Sequence, residues 1–156
     1  MFKRVNANID LPSVESEISA YWDKINAFET SVENRKNDKT FRFYDGPPFP
    51  TGSPHYGNLL AGVIKDIVPR YWTMRGYYVE RRFGWDVHGL PIEMEVQKKL
   101  NLEDPQQIDE YGIDKFNEAC RSQVQTNTEN WEKITRKIGR WVDFENDYKT
   151  MDIEFM

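Results

Sequence analysis

The stretch FRFYDGPPFPTGSPHYGN, residues 41–58, predicts a strand, a turn and a helix start in direct succession. Residues 41–45 are aromatic and β-prone, which indicates a buried strand. The glycines and prolines of residues 46–54 end regular pairing and form a turn. A helix then begins beside His55. Because the free N–H groups of a helix start attract phosphate, this succession predicts a nucleotide-binding site with an imidazole next to the phosphate.

The segment after the turn, residues 56–75, predicts a long amphipathic helix. Its apolar residues recur as pairs every four positions and form a wide stripe. Pro69 lies inside the stripe and removes one backbone donor, so we expect a kink between Lys65 and Pro69. Residues 77–83 predict a second strand from their aromatic and β-branched content. Strand, helix and strand together predict a parallel, right-handed βαβ unit.

Three further helices are predicted outside this unit. Apolar residues at helical spacing indicate a surface helix over residues 13–34, with Pro12 and Ser13 at its start. A short helix is expected over residues 92–101. A long one is expected over residues 114–139, with a narrow packing seam that runs from Cys120 to Trp141. Residues 142–156 are acidic and receive no assignment.

Composition indicates an ordinary soluble globular chain. The 156 residues are 38% apolar, 14% aromatic and 30% charged, enough for roughly one domain. The net charge of −5 argues against a dedicated nucleic-acid-binding module. Residues 65–82 contain more basic than acidic side chains, which we interpret as a solvated face rather than an anion-attracting rim. The basic residues of this range are Lys65, Arg70, Arg75, Arg81 and Arg82.

Cysteine content and the absence of long apolar runs predict a cytoplasmic protein. Cys120 is the only cysteine, which excludes an intrachain disulfide and a four-cysteine zinc site and fits a reducing compartment. Residues 1–10 lack the apolar region of a secretory signal. No run approaches the ~18 apolar residues that a membrane-spanning helix needs.

Two glycine-containing loops, residues 46–57 and 84–89, follow the carboxyl ends of the two predicted strands. Ligands bind at that edge of a parallel sheet, so we expect the loops to share one crevice and to bring His55, Asp86 and His88 together. His55 can donate to a phosphoryl oxygen. Asp86 can bind a substrate ammonium or pair with a neighbouring arginine, Arg81 or Arg82. His88 is either an orienting group or an ordinary loop residue. The three side chains could also form a facial metal site, although no helical histidine pair supports that alternative.

Several motifs together carry a family resemblance. The residues HYGN at 55–58 resemble the HIGH signature of class I aminoacyl-tRNA synthetases. They follow YDGPP at 44–48 and precede GWDVHGLPIE at 84–93, and this combination resembles isoleucyl-tRNA synthetases rather than valyl or leucyl enzymes. RWVD at 140–143 and TMD at 150–152 fit the same family. The resemblance covers nearly the whole chain, from about residue 10 onward.

The resemblance implies a fold and a reaction. The fold is α/β: the first half of a class I synthetase Rossmann-like fold, a parallel βαβ unit preceded by an N-terminal helix and followed by a long helix. Residues 1–40 would be a helical extension, and residues 41–156 the first half of the catalytic domain, which ends before the editing insertion. The reaction is the ATP- and Mg²⁺-dependent activation of isoleucine to isoleucyl-adenylate and its transfer to tRNA(Ile). A monomeric full-length enzyme is implied, with no membrane association and no zinc in this segment.

The resemblance also assigns roles to individual residues. His55 and Asn58 would be catalytic, Asp86 would hold the α-ammonium of isoleucine, and His88 and Trp85 would support it. The other implied ATP-binding residues are Phe49, Gly52 and Gly57, and the other implied amino-acid-binding residues are Gly46 and Pro47. Asn58 replaces the second histidine of the signature, and an amide donates hydrogen bonds but carries no charge, so we expect altered ATP contacts rather than an inactive site.

The chain contains no KMSKS-like loop. We therefore expect an unpaired sheet edge, exposed apolar surface and marginal stability for this segment alone. The alternative functions are those of another class I synthetase, valyl or leucyl, and of a nucleotide-binding fragment without activity by itself.

Overall fold

The structure, a computed structural model of the chain, describes residues 8–155. Residues 1–7, which begin the predicted helical extension, and residue 156 lie outside that range. The described residues form six helices and two strands. In chain order they are α1 (Leu11–Lys24), α2 (Ala27–Glu33), α3 (Tyr56–Met74), β1 (Arg82–Trp85), α4 (Leu90–Leu100), α5 (Pro105–Tyr111), α6 (Ile113–Lys137) and β2 (Asp143–Lys149).

The N-terminal region is a helical hairpin rather than the single predicted helix. The break falls at Asn26, whose φ of 46° is left-handed and cannot continue a right-handed helix. Helix α1 also begins earlier than predicted, with Asp10 as its N-cap and Pro12 in its first turn. The edge of the Trp22 ring packs on Trp141, with ring centroids 5.3 Å apart, which ties the hairpin to the segment after α6.

Helix α3 has nearly the predicted bounds and runs on through Pro69, which is buried. The kink expected between Lys65 and Pro69 stays a prediction. Much of its apolar stripe is exposed among the described residues, as expected for this segment. The exposed members of the stripe are Leu60, Val63, Ile64, Ile67, Val68 and Tyr71.

The strand predicted over residues 41–45 is wrong. The chain there is extended but pairs only through a parallel bridge between Thr40 and Tyr78, with Phe41 N donating to Tyr78 O at 2.9 Å. The prolines that follow lack a backbone N–H and cannot extend a ladder beyond this segment. The parallel sense and the α3 crossover agree with the predicted βαβ unit.

The only regular strand pair of residues 8–155 joins β1 to β2 in parallel. Strand β1 begins five residues later than predicted, and β2 lies in the acidic segment that the sequence left unassigned. Gly84 pairs with Tyr148 and Trp85 with Lys149, with an irregularity between Arg82 and Gly84. Phe144 packs on Phe83 and Trp85, with ring centroids 4.6 and 6.4 Å apart, so the apolar contacts of β2 with β1 depend on an aromatic side chain rather than on an alternating apolar pattern.

The core lies between this strand pair and helices α4 and α6. The buried cluster consists of Phe83, Trp85, Val87, Ile92, Val124, Trp131 and Val142. Trp131 and Val124 are buried members of the predicted α6 seam. Helix α5 was not predicted; Asp104 caps it by accepting from Gln107 N at 3.0 Å. No helix within residues 8–155 is long and apolar enough to cross a membrane.

Candidate functional site

The two glycine-containing loops meet through the backbone. Asp86 N donates a hydrogen bond to Pro48 O at 2.9 Å, so the turn before α3 and the loop after β1 are directly joined. The two loops therefore meet at this contact, as predicted, while the expected grouping of His55 with Asp86 and His88 stays a prediction. The loop over residues 84–89 follows the pairing of β1, and the loop over residues 46–57 follows the Thr40 bridge. Both therefore leave the carboxyl edge of the parallel pairing, where ligands of such sheets bind.

The turn over residues 46–54 is held in place by two helices. From α3, Lys65 Nζ donates to Gly46 O at 2.7 Å. From α6, Trp131 Nε1 donates to Gly52 O at 2.9 Å and Asn130 Nδ2 to Ser53 Oγ at 3.2 Å. The backbone of the proline-rich turn is thus fixed in position, because side chains of α3 and α6 donate to two of its carbonyls and to the Ser53 hydroxyl.

A buried ion triad fixes the start of this turn. The Asp45 side chain is fully buried, and its Oδ1 lies 2.7 Å from Lys65 Nζ. Its other oxygen is paired with Arg140, whose side chain is also buried. A buried carboxylate requires such compensation. Sequence reasoning missed Asp45, Lys65 and Arg140 as a unit, since Arg140 lies 95 positions away and only the fold brings it close.

Tyr148 of β2 reaches the same point from the other side. Its ring fills the space where a Cβ of residue 84 would lie, so only glycine fits at Gly84. The Tyr148 hydroxyl donates to Asp45 O at 2.8 Å. Burial, followed by the negative charge of Asp45, raises the pKa of Tyr148. The phenol therefore stays protonated at neutral pH and keeps this hydrogen bond.

His55 is the N-cap of α3, as the turn–helix pattern predicted. Its Nδ1 accepts from Gly57 N at 3.1 Å, while Asn58 Oδ1 accepts from His55 N at 3.0 Å. This reciprocal arrangement is a capping box. Because Nδ1 is an acceptor, the neutral ring carries its proton on Nε2, and that N–H is the group that exposed His55 offers to a ligand.

Gly57 is explained by the same geometry. A Cβ at this position would lie 3.0 Å from His55 Cε1, tighter than an ordinary contact. The missing side chain therefore gives the imidazole room to cap the helix. Its predicted role, close approach of adenosine, remains a prediction.

Asp86 and His88 are linked through a residue that sequence reasoning missed. Thr150 Oγ1 accepts from Val87 N at 3.0 Å, lies 2.7 Å from His88 Nδ1, and donates to Asp86 Oδ1 at 3.3 Å. With the His88 proton on Nδ1, one hydroxyl accepts twice and donates once, which matches its capacity. Thr150 lies in the TMD motif of the family resemblance, but nothing local links it to Asp86 and His88, because it lies more than 60 positions beyond the loop.

Asp86 has no cationic partner among the described residues. Neither arginine offered as its alternative partner reaches it. Arg82 Nε donates to Asn146 O at 2.7 Å, and Arg81 is buried beside α3. The half-buried Asp86 carboxylate is thus held by a hydroxyl and left without a counter-charge, a state that fits a ligand ammonium.

The other candidates fall in different settings. Trp85 is a core residue, with Nε1 donating to Asp147 Oδ2 at 2.6 Å. Phe49 is exposed on the turn, and Pro47 is half-buried. His55 makes its described hydrogen bonds with Gly57 and Asn58 rather than with Asp86 or His88. Within residues 8–155 no three metal-ligating side chains are grouped, so the alternative of a facial metal site finds no support.

Of the predicted catalytic and ATP-binding residues, only Asn58 lines one of the two cavities described next. A cavity of about 700 Å³ lies between α1 and the segment after α6 and contains none of them. A cavity of about 60 Å³ beneath the turn is lined by Asn58, Lys65, Trp131 and Arg140. The candidate side chains His55, Phe49 and His88 instead lie exposed on the loop surface.

Comparison with known proteins gives consistent results. The family described as tRNA synthetases class I (I, L, M and V) matches residues 17–156. The isoleucine–tRNA ligase of Treponema denticola is 50% identical over 156 residues, which is 100% of this chain and 14% of that protein. The cytoplasmic isoleucine–tRNA ligase of Arabidopsis thaliana is 53% identical over 145 residues, 93% of this chain and 12% of that protein. The enzyme of Mycobacterium tuberculosis H37Rv is 53% identical over 147 residues, 94% of this chain and 14% of that protein.

A solved structure shows the same fold. It is the LeuRS of a LeuRS–tRNA–LeuAMS ternary complex from Agrobacterium radiobacter K84, with a TM-score of 0.68 and 21% identity. The match covers 95% of this chain and 16% of that protein. The predicted fold class is therefore confirmed. The chain spans 12–14% of the length of the curated relatives named above.

Proposed function

The chain belongs to the class I tRNA synthetases, and we propose that it supplies the N-terminal part of the site at which an isoleucine–tRNA ligase activates isoleucine with ATP. The product is isoleucyl-adenylate, whose aminoacyl group then passes to tRNA(Ile). One observation supports this most strongly: the turn that ends in HYGN is bonded to the WDVH loop through Asp86 N and Pro48 O. A phosphate-facing group and an ammonium-facing group thus lie on joined loops.

His55 is the proposed electrostatic catalyst. An isoleucine carboxylate oxygen attacks the α-phosphorus of ATP, and pyrophosphate leaves with its Mg²⁺. Negative charge grows on the α-phosphoryl oxygens during this step, and His55 Nε2–H donates to one of them. The Gly57 N–H bonded to Nδ1 polarises the ring, so the imidazole extends the positive end of α3 toward the phosphate.

The remaining candidates position the two substrates. Asp86 binds the α-ammonium of isoleucine, and its orientation depends on Thr150 and His88. Gly46 and Pro47 offer backbone and a small apolar surface to the amino acid, held by the Asp45 triad behind them. Phe49, Gly52 and Gly57 lie on the turn and helix start where ATP would lie.

ATP–pyrophosphate exchange tests this proposal. The full-length enzyme that carries this sequence is assayed with isoleucine, with valine and without amino acid, beside the 156-residue chain. We expect exchange that requires an amino acid and favours isoleucine in the full-length enzyme. A preference for valine would contradict the isoleucine assignment, and exchange without dependence on either amino acid would contradict synthetase activity.

A second candidate is a segment that binds nucleotide without completing the reaction. This candidate is favoured because the chain spans only 12–14% of the length of its relatives. Groups outside these residues would then have to bind the pyrophosphate for the reaction to be completed. ATP binding by the 156-residue chain without exchange would support it. Exchange by the chain alone would exclude it. In either case we expect a monomeric, cytoplasmic full-length enzyme with tRNA(Ile) as its third substrate, after isoleucine and ATP.

A further inference from the structure

Arg81 is a buried cation that forms no ion pair among the described residues, although the negative charge of Asp66 acts on it at longer range. It is 3% exposed, and its Nε and Nη1 have no hydrogen-bond partner. Only Nη2 is bound, to Thr73 Oγ1 and to Pro69 O at 3.3 Å. Burial lowers the pKa of Arg81 to about 10, which still leaves the guanidinium charged at neutral pH. A buried charge of this kind is costly unless an opposite charge compensates it.

A basic cavity opens beside this guanidinium. Its volume is about 330 Å³, and its lining contains three arginines, Arg35, Arg70 and Arg81, and no carboxylate. Ser31 and Asn34 of the N-terminal hairpin contribute neutral polar groups to the same wall. We expected the basic residues of the range 65–82 to form a solvated face, and this expectation is wrong at Arg81, because its side chain is buried.

Of the three arginines that line the cavity, two are paired with carboxylates of the described residues and one, Arg81, is not. Arg70 Nε is paired with Asp66 Oδ2 at 2.6 Å, and Arg35 Nη1 with Asp38 Oδ2 at 3.3 Å. Arg81 takes part in no ion pair of the described residues. The carbonyl of Pro69 near the end of α3 supplies only a fraction of a negative charge.

A second cavity, of about 300 Å³, also reaches Arg81 and contains the acidic groups of its surroundings. Its lining includes Glu29, Glu33, Glu80, Asp143 and Glu145 together with Arg136. None of these carboxylates pairs with Arg81. A further anion is therefore expected in the cavity lined by the three arginines, where no carboxylate is present to repel it.

We propose that the cavity lined by Arg35, Arg70 and Arg81, the arginine pocket, binds a compact oxyanion of the phosphate or carboxylate class. Arg35 and Arg70 have N–H groups beyond those used in their ion pairs and would donate to the oxyanion directly. Arg81 lies beneath them and attracts the anion through its charge, which acts strongly across a dry interior.

This site is separate from the adenylate site. Thr73 follows His55 by 18 positions on α3, about 27 Å along a helix at 1.5 Å per residue. The arginine pocket lies at the carboxyl end of α3 and the proposed ATP contacts at its amino end. The proposal therefore does not depend on the proposed function.

Thermal unfolding of the 156-residue chain in different anions tests the proposal. Inorganic phosphate, acetate and chloride are compared at pH 7 and equal ionic strength. We expect phosphate to raise the unfolding temperature by at least about 3 °C over chloride, because a ligand of the folded state stabilises it. Arg81→Met removes the buried charge and should abolish this difference. Arg121→Met removes an exposed charge of α6 and should retain it.

The two anions distinguish the source of the ligand. Stabilisation by phosphate alone indicates a phosphoryl ligand, whereas equal stabilisation by acetate indicates a carboxylate. Line broadening of the ³¹P signal of phosphate, lost in Arg81→Met, measures binding without unfolding. No difference between phosphate, acetate and chloride would overturn the proposal. So would an equal loss of the phosphate effect in Arg81→Met and Arg121→Met.

Discussion

Asp45 precedes one of the two joined loops and Asp86 lies within the other, and the two carboxylates have opposite surroundings. Asp45 is fully buried and paired with two cations, Lys65 and Arg140. Asp86 is half-buried and held only by the hydroxyl of Thr150. The first carboxylate is fully compensated within the chain, and the second has its charge available.

The difference separates a structural group from a binding group. A carboxylate whose charge is already compensated orders the backbone around it but has nothing to offer a substrate. A carboxylate that is oriented without being neutralised can bind a cation, and such groups cluster at functional sites. The same criterion applies to His55, whose Nδ1 is used by the helix cap while Nε2 remains a free donor.

The largest effect is expected when the compensated aspartate is changed. Asp45→Asn leaves Arg140 buried without its partner, and breaking a buried ion pair in this way typically costs about 3–5 kcal/mol. For a chain of marginal stability this means loss of the helical circular dichroism signal in buffer. Asp38→Asn breaks an exposed pair and serves as the control, with an expected change below about 1 kcal/mol. Similar urea midpoints for the two variants would show that Asp45 is not structural.

His55→Asn separates the two nitrogens of the imidazole. Asparagine is a good N-cap and should keep α3 stable, but it cannot place a donor where Nε2–H lies. Loss of one donor to a developing oxyanion lowers kcat by about 10²–10³-fold. We expect this loss in ATP–pyrophosphate exchange by the full-length enzyme, with an unchanged unfolding temperature. An equally active variant would remove His55 from the proposed mechanism.

Asp86→Asn tests the uncompensated carboxylate. Unfolding should change little, since no ion pair of the described residues is broken. Hydrogen bonds to charged groups contribute about 1.5–3 kcal/mol, so the KM for isoleucine should rise by about 10–100-fold. Glu145→Gln, at an exposed acid of β2, is the charge-matched control. A raised KM for ATP with an unchanged KM for isoleucine would contradict the assignment.

The sequence predicted the groups that act locally and missed those that act across the fold. His55 at the start of α3 follows from a turn–helix pattern within a few residues, and the convergence of the loops follows from parallel topology. Nothing local links Arg140 and Thr150 to their partners, because each meets its partner only after α4–α6 return the chain to β1. Strand β2 was missed for the same reason: its sequence is polar, and the aromatic ring of Phe144 meets Phe83 and Trp85 only in the folded chain.

Thr150→Val examines how the uncompensated carboxylate is oriented. Valine keeps the shape but removes the hydroxyl, which leaves Val87 N–H unpaired at a cost of about 1–3 kcal/mol. We expect the KM for isoleucine to rise by up to about tenfold, because one neutral hydrogen bond to Asp86 is lost. The kcat and the KM for ATP should stay unchanged, and Thr150→Ser should restore the KM. A stability loss without a change in the KM would leave Thr150 a purely structural residue.

The smallest effect is expected at Asn58, the position where the signature has its second histidine. The Asn58 amide oxygen already accepts from His55 N at 3.0 Å, so half of this side chain belongs to the helix cap. In Asn58→His the imidazole Nδ1 can take over that acceptor role and its Nε2–H can donate to ATP. With Nδ1 as an acceptor the ring is neutral, and its Nε2–H is a neutral donor like the amide N–H of Asn58, so the KM for ATP should change little and adenylate formation should persist. Abolished exchange in a folded variant would show that the amide itself is required, and that Asn58 acts on the substrate rather than on the cap.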